Sequence, residues 1–327
     1  MTKLTDQQVA DFKTAFPSAK ENEPMILHTY LKIGGPARLY LDAGSAEELI
    51  AAVEAAKRLS IPYAVIGGGS NLLVSDTGYE GAVIHATDRT TKIEGASVTA
   101  AAGAFTGLVS KQLADANLVG FEWGTGVPGT IGGATYGNAG CFGGEMKDVV
   151  VSVDAYIPAT GTRVTYSKEE CRFGYRDSRF KHEPHVILNT TMMLQVGDGA
   201  EGKKKIEEIA SKRKDSQPQG AFSAGCLFKN FDFTDESALE ILKRQGDEIP
   251  ENFLSAHRLP AGWLIEKLGL KGTTVGKAQV SPVHGNFLVN LGGARAQDVL
   301  ALSSLVKMKV RDELGILLED EVQYLGF

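Results

Sequence analysis

The chain reads as an α+β protein built of two or three packed units, and three observations predict this. Its 327 residues exceed the roughly 100–200 usual for one domain. Segments of helical periodicity and short β-type runs follow one another without a repeat, and the pattern changes near residues 85 and 200. Glycine, at 38 residues, stands well above its usual share of about 7%, so parts of the backbone need unusual freedom.

In chain order, residues 1–16 form a short amphipathic helix and residues 38–42 a strand. A capping box of Ser45 and Glu48 opens a helix that runs to about residue 59, where Ile61 and Pro62 stop it. A strand at residues 63–66 enters a glycine loop, and an apolar run at residues 72–74 leaves it. Short β-type runs fill residues 82–101, and a helix covers about 105–116. A glycine-rich stretch comes next, followed by strands near 149–157, 163–166 and 185–194 and a charged helix over 202–214. Beyond it lie helices near 236–244 and 261–268 and strands near 276–281 and 286–290. A long helix over 296–314 carries Val299, Leu302, Val306 and Val310 as one apolar stripe, and a strand at 322–325 closes the chain.

A net charge of −6 argues against a general nucleic-acid or membrane-surface binder, because both targets are polyanionic. The longest charge-free stretch, residues 123–144, is rich in glycine and lacks the lipophilic side chains of a membrane helix. Residues 1–16 lack the apolar core of a secretory signal. Cys141, Cys171 and Cys226 are odd in number and scattered, which suits free thiols in a reducing compartment, and no metal-ligand spacing is visible.

The first glycine loop, Gly67, Gly68, Gly69, Ser70 and Asn71, fails the dinucleotide fingerprint because Leu72 falls where the third glycine belongs. Consecutive glycines can still aim several backbone N–H groups at one anion, with Ser70 and Asn71 adding side-chain donors; a tight turn without ligand is the alternative. The second stretch, Gly126, Val127, Pro128, Gly129, Thr130, Ile131, Gly132 and Gly133, points to close approach of the chain to a flat or bulky ligand. Two such nests imply an extended, phosphate-containing cofactor. Residues 272–278 imitate a P-loop but have one residue too few between glycines and Ala278 where a magnesium-binding hydroxyl belongs.

Seven stretches taken in order resemble the UDP-N-acetylenolpyruvoylglucosamine reductase family: HTYLKIGGPA at 28–37, IGGGSNLL at 66–73, GVPGTIGG at 126–133, FGYRDS at 173–178, SAGCLFKN at 223–230, AGWLI at 261–265 and LEDEV at 318–322. The resemblance spans nearly the whole chain. It implies a two-lobed FAD-binding unit of the vanillyl-alcohol-oxidase (PCMH) type, with residues 1–84 as the first lobe, joined by a C-terminal strand at 317–327, and residues 85–200 as the second. An α/β domain over 201–316 would close over the UDP-sugar. The short segment between Ser178 and Gln217 matches the short-loop (type II) subfamily, which lacks an extra substrate-covering tyrosine loop.

The implied reaction is cytoplasmic reduction of UDP-N-acetylglucosamine enolpyruvate to UDP-N-acetylmuramate for peptidoglycan, with hydride passing from NADPH through tightly bound FAD to the β-carbon of the enolpyruvyl ether. Negative charge builds on the α-carbon and its carboxylate, which calls for a fixed cation and an acid. Arg176 matches the family's catalytic arginine, and Cys226 stands where most members carry a serine proton donor. Glu321 matches the catalytic glutamate, with Glu319 as the competing carboxylate because residues two apart in a strand share a face. Tyr175, Lys229, Asn230 and His284 fall at substrate-contact positions, and both glycine loops would carry the flavin pyrophosphate. Lys212, Arg213 and Lys214 read as a solvated helix face, with attraction of the anionic substrate as the alternative. The alternatives are a flavin oxidase or dehydrogenase of a small alcohol and a non-catalytic UDP-sugar-binding regulator. The sequence leaves the oligomeric state open.

Overall fold

The computed structural model describes residues 3–235, 239–244 and 248–327, so three residues of the helix expected over 236–244 lie outside the described residues. The chain divides into two compact units, each assembled from separate segments: residues 1–23, 36–69 and 79–215 form the first, and 24–35, 70–78 and 216–327 the second.

The first unit holds two sheets. In one, the strand order is Lys20–Pro24, Pro36–Ala43, Tyr79–Ala86, Tyr63–Ile66, and Tyr79–Ala86 pairs in parallel with both neighbours. That strand is buried along almost its whole length, as expected where helices or loops cover both faces. The crossover helix Ala46–Arg58 buries Leu49, Ala52, Val53, Ala55 and Ala56 in the core that also holds Leu39, Leu41 and Ile84. Each fully buried Leu, Ile or Val contributes about 1.5–3 kcal/mol. Ser45 caps this helix by accepting from Glu48 N at 3.1 Å, but the reciprocal half of the expected capping box is displaced by one residue: Glu48 Oε2 accepts from Gly44 N at 2.8 Å.

The second sheet is antiparallel, in the order Thr162–Ser167, Val150–Ile157, Val186–Met193, Ser97–Ala101, Thr91–Glu94. Its first hairpin closes through Gly161, whose φ of 71° suits glycine. Both sheets feed a single apolar core that includes Leu41, Ile84, Val98, Ile131 and Val153. The residues on either side of position 85, expected as two lobes of one unit, thus share that core within the first compact unit.

The second unit contains an antiparallel sheet in the order Phe222–Cys226, Phe287–Asn290, Ala278–Val280, Thr274–Val275. The P-loop imitation is the turn of its last hairpin, with Gly276 at φ 55°, and not a strand-to-helix loop. The helix Ala296–Leu314 buries the expected stripe of Val299, Leu302, Val306 and Val310, and Gly315 ends it in the left-handed region with its N–H on Arg311 O at 2.9 Å. Gln323–Leu325 pairs in parallel with Leu72–Val74. The closing strand thus meets the segment after the first glycine loop, and both lie in the second unit.

Candidate active site

In the first unit the two glycine loops touch. A methyl carbon at Gly67 would overlap the Thr130 hydroxyl, and one at Gly68 would stand 3.0 Å from Gly129 Cα. No backbone carbonyl among the described residues takes the N–H of Gly68 or Gly69, and Gly69 has φ 64°, so these groups suit a pyrophosphate.

In the second stretch several N–H groups already have protein acceptors. Val127 N donates to Gly124 O at 3.1 Å, Ile131 N to Ala104 O at 2.8 Å and Gly132 N to Ala102 O at 2.8 Å. Pro128 has no N–H to offer. The missing side chains here admit protein neighbours: a Cβ at Gly132 would lie 2.7 Å from Ala102 Cβ, and one at Gly126 2.7 Å from Cys141 Sγ. Thr130 caps the short helix Ile131–Tyr136, accepting from Gly133 N at 3.4 Å.

Tyr175 and Arg176 occupy the tip of a tight turn closed by Gly174 N on Asp177 O at 3.0 Å and Asp177 N on Gly174 O at 3.3 Å. Arg176 has φ 52°, in the left-handed region that costs a residue with a Cβ roughly 1–2 kcal/mol. Its guanidinium donates to Gly140 O at 3.0 Å and lies 5.3 Å from the Tyr175 ring centroid. Arg213 donates to Gly126 O from the helix Gly199–Ser216, so it reaches the second glycine stretch instead of forming only a solvated face. The Cys141 thiol sits between these cations: burial pushes its pKa up to about 11, while Arg213 and Arg176 pull the other way.

In the second unit, Cys226 ends the strand Phe222–Cys226 and is half-buried. Gly225, at φ 79°, breaks the pairing register just before it, and Gly225 N donates to Ser223 Oγ at 3.0 Å. Beyond Cys226 the chain is held from two directions. Asn286 accepts from Phe228 N at 2.9 Å and donates to Phe228 O at 2.8 Å, while Glu321 N donates to Leu227 O and Lys229 N to Glu319 O, both at 2.8 Å. Asn71 Nδ2 donates to Glu321 O at 3.0 Å, and buried Asn71 Oδ1 has no hydrogen-bond partner among the described residues, an acceptor position that fits a ligand donor. Asn71, Cys226, Lys229 and Glu321 are thereby linked through adjoining backbone.

The two competing carboxylates are distinguished by environment. Glu319 is 74% exposed and pairs with Lys229 at 3.1 Å, whereas Glu321 is half-buried. An exposed pair of this kind contributes about 0–1 kcal/mol, so Lys229 can exchange it for a diphosphate at little cost. Asn230 Oδ1 accepts from Ala261 N at 3.1 Å, committing that oxygen to the start of the helix Ala261–Lys267. His284 Nδ1 accepts from Asn286 N at 3.1 Å, which leaves the proton of the neutral ring on Nε2. Burial first, and the Lys271 ammonium second, push the His284 pKa below its ordinary value.

Asn286 and Arg213 make their contacts with segments 58 and 87 positions away, which no local pattern announces. Asn138 was visible only as part of a glycine-rich run, and its position at φ 42° with no exposed surface is a tertiary fact.

Residues 217–325 match the family model described as UDP-N-acetylenolpyruvoylglucosamine reductase, C-terminal domain, and residues 37–167 match an FAD binding domain. A UDP-N-acetylenolpyruvoylglucosamine reductase of Clostridioides difficile is 37% identical over 309 residues, covering 94% of this chain and 93% of the relative. One of Rubrobacter xylanophilus is 37% identical over 314 residues, covering 95% and 96%. Among solved structures, UDP-N-acetylenolpyruvylglucosamine reductase from Thermus caldophilus superposes with a TM-score of 0.73 at 33% identity, covering 94% of this chain and 98% of the other.

Proposed function

Because the chain belongs to the UDP-N-acetylenolpyruvoylglucosamine reductase family, we propose that it is an NADPH-dependent flavoprotein that reduces UDP-N-acetylglucosamine enolpyruvate to UDP-N-acetylmuramate for peptidoglycan synthesis. The match to these reductases over 94% of the chain carries the reading. Bound FAD supplies the hydride chemistry between NADPH and the enolpyruvyl double bond. NADPH and UDP-sugars are cytoplasmic metabolites, which is the reason for placing the activity in the cytoplasm. No helix among the described residues is long and apolar enough to cross a membrane.

The protein's own groups have three tasks. The backbone N–H groups of Gly68 and Gly69, with Gly67, Ser70 and Asn71 beside them and residues 126–133 packed on the loop, hold the flavin pyrophosphate. Arg176 stabilises charge that develops on the substrate carboxylate, for which a planar and permanently charged fork is suited. Glu321 works with it on the enolic intermediate, a role for which half-buried Glu321 is better placed than ion-paired Glu319. Cys226 Sγ gives its proton to the α-carbon; a thiol, with an ordinary pKa of about 8.5, releases a proton far more readily than an alcohol. Tyr175, Lys229, Asn230 and His284 bind the UDP-sugar, His284 as a neutral Nε2–H donor.

The experiment is an anaerobic flavin titration. The purified protein is yellow, bleaches with NADPH and recovers its colour when UDP-N-acetylglucosamine enolpyruvate is added. A colourless protein that takes up no FAD, or reduced flavin that ignores the substrate, sinks the reading.

A further inference from the structure

The Arg176 turn holds an arginine in the left-handed region, so something beyond the turn's own two hydrogen bonds must select that conformation. Two side chains outside the turn grip its main chain. Asn138, with no exposed surface, donates from Nδ2 to Gly174 O at 2.8 Å. The same amide group donates to Glu145 Oε2 at 2.8 Å, and Asn138 Oδ1 accepts from Lys147 N at 2.9 Å, so its carboxamide is locked in one orientation. On the other side Lys181 Nζ donates to Arg176 O at 2.6 Å. Ser178, also without exposed surface and at the N-cap of the short helix Arg179–His182, anchors the chain leaving the turn through Oγ on Tyr136 O at 2.7 Å.

Two carbonyls at the tip of a half-exposed turn would ordinarily be solvated by water at no structural cost. Here each accepts from a protein donor, one of them fully buried and itself in the left-handed region at φ 42°. Such an arrangement fixes where the Arg176 Cα lies and which way its side chain leaves the backbone. Its guanidinium is then steadied a third time by Gly140 O, two residues along the chain from Asn138.

We propose that Asn138 and Lys181 are positioning residues for Arg176: they hold the turn so that the guanidinium is presented in one place before substrate arrives. The inference rests on the role given to Arg176 above. It concerns residues that need not touch substrate, FAD or NADPH.

The test uses the flavin-loaded protein and the variants Lys181→Met, Lys181→Arg, Asn138→Ala and Arg176→Lys. Stopped-flow absorbance reads flavin reduction by NADPH and reoxidation by the enolpyruvyl substrate separately, and calorimetry reads binding of UDP-N-acetylmuramate. A misplaced catalytic group costs up to about a hundredfold in rate, so Lys181→Met and Asn138→Ala are expected to slow reoxidation by about tenfold to a hundredfold. Reduction by NADPH, KM for the enolpyruvyl substrate and product binding stay within about threefold, and Lys181→Arg, which keeps the donor, recovers most of the lost kcat. Wild-type reoxidation in both Lys181→Met and Asn138→Ala overturns the proposal, as does equal loss in both half-reactions or an arginine variant no better than methionine. Should Asn138→Ala fail to fold, the two Lys181 variants decide. Wild-type reoxidation in Arg176→Lys would instead remove the role of Arg176 and the positioning argument with it.

Discussion

The contact between the glycine loops yields a quantitative prediction from a pair of substitutions. Gly67→Ala places a methyl carbon on the Thr130 hydroxyl, and Thr130 is only 2% exposed, so it has little room to yield. Overpacking of this kind costs about 1–3 kcal/mol. Thr130→Ala alone loses the cap of Ile131–Tyr136, and with the cap bond at 3.4 Å the cost falls at the low end of the usual range, about 0.5–1 kcal/mol. In the double variant the hydroxyl is gone and the new methyl fits beside a smaller neighbour, so the total should approach the cap loss alone. The coupling is then about 1–3 kcal/mol in favour of the double variant. Urea denaturation of flavin-stripped protein reads this without the stabilisation that bound ligand adds. With a slope of about 1–3 kcal/mol per molar, Gly67→Ala lowers the midpoint by roughly 1 M, and adding Thr130→Ala raises it again. Costs that sum to within about 0.5 kcal/mol would refute the packing argument.

Three further outcomes follow from named groups. Cys226→Ala should leave flavin reduction by NADPH intact while slowing reoxidation by about a hundredfold or more, the usual scale of general acid catalysis, and Cys226→Ser should keep substantial activity; near-normal turnover of the alanine variant removes the thiol from the mechanism. Burial pushes Cys141 and Cys171 up to about 11, leaving roughly one thiolate in a thousand at pH 8, so iodoacetamide should label half-buried Cys226 first; equal labelling of Cys141, read by peptide mass, contradicts this. The folded pKa of His284 lies below the ordinary 6.5, so the unfolded chain binds more protons and the contribution of neutral His284 is present above about pH 6.5 and lost as pH falls below it. His185 is shifted the same way by burial, and His284→Asn should flatten only part of the acid loss; an unchanged stability profile between pH 7 and pH 5 would count against burial of a neutral ring.

Much of the architecture was legible because it rests on local signals. The 296–314 stripe, the Ser45 cap and the strand, glycine loop, strand passage at residues 63–74 each follow from spacing within a few residues. What escaped rests on distant partners. The strand Lys20–Pro24 is mostly exposed and shows no apolar alternation to mark it. The helix Ile131–Tyr136 contains two glycines that oppose helix formation, and it forms because Ala104 O, Ala102 O and Thr130 Oγ1 take its first N–H groups. Arg213 meets Gly126 across 87 positions of sequence, so its helix reads only as a charged face. For the site, residue types and order pointed to Arg176, Cys226 and Glu321, while the ion pair of Glu319 with Lys229 joins residues 90 positions apart and leaves no local mark.

The segmented make-up of the second unit bears on how the protein is made. Its core draws on Leu31, Ile33 and Leu73, its closing strand is paired by Leu72–Val74, and Asn290 Nδ2 donates to Leu31 O across 259 positions of sequence. A truncation cut to residues 217–325 would lack all of these and expose the apolar surface they cover. On the ribosome, Leu31 and Leu73 emerge long before the residues that bury them, so nascent chains carry unsheltered hydrophobic segments until the segment from residue 216 onward has been made. Recombinant yield should therefore respond to chaperone supply and growth temperature more than the stability of the finished protein would indicate.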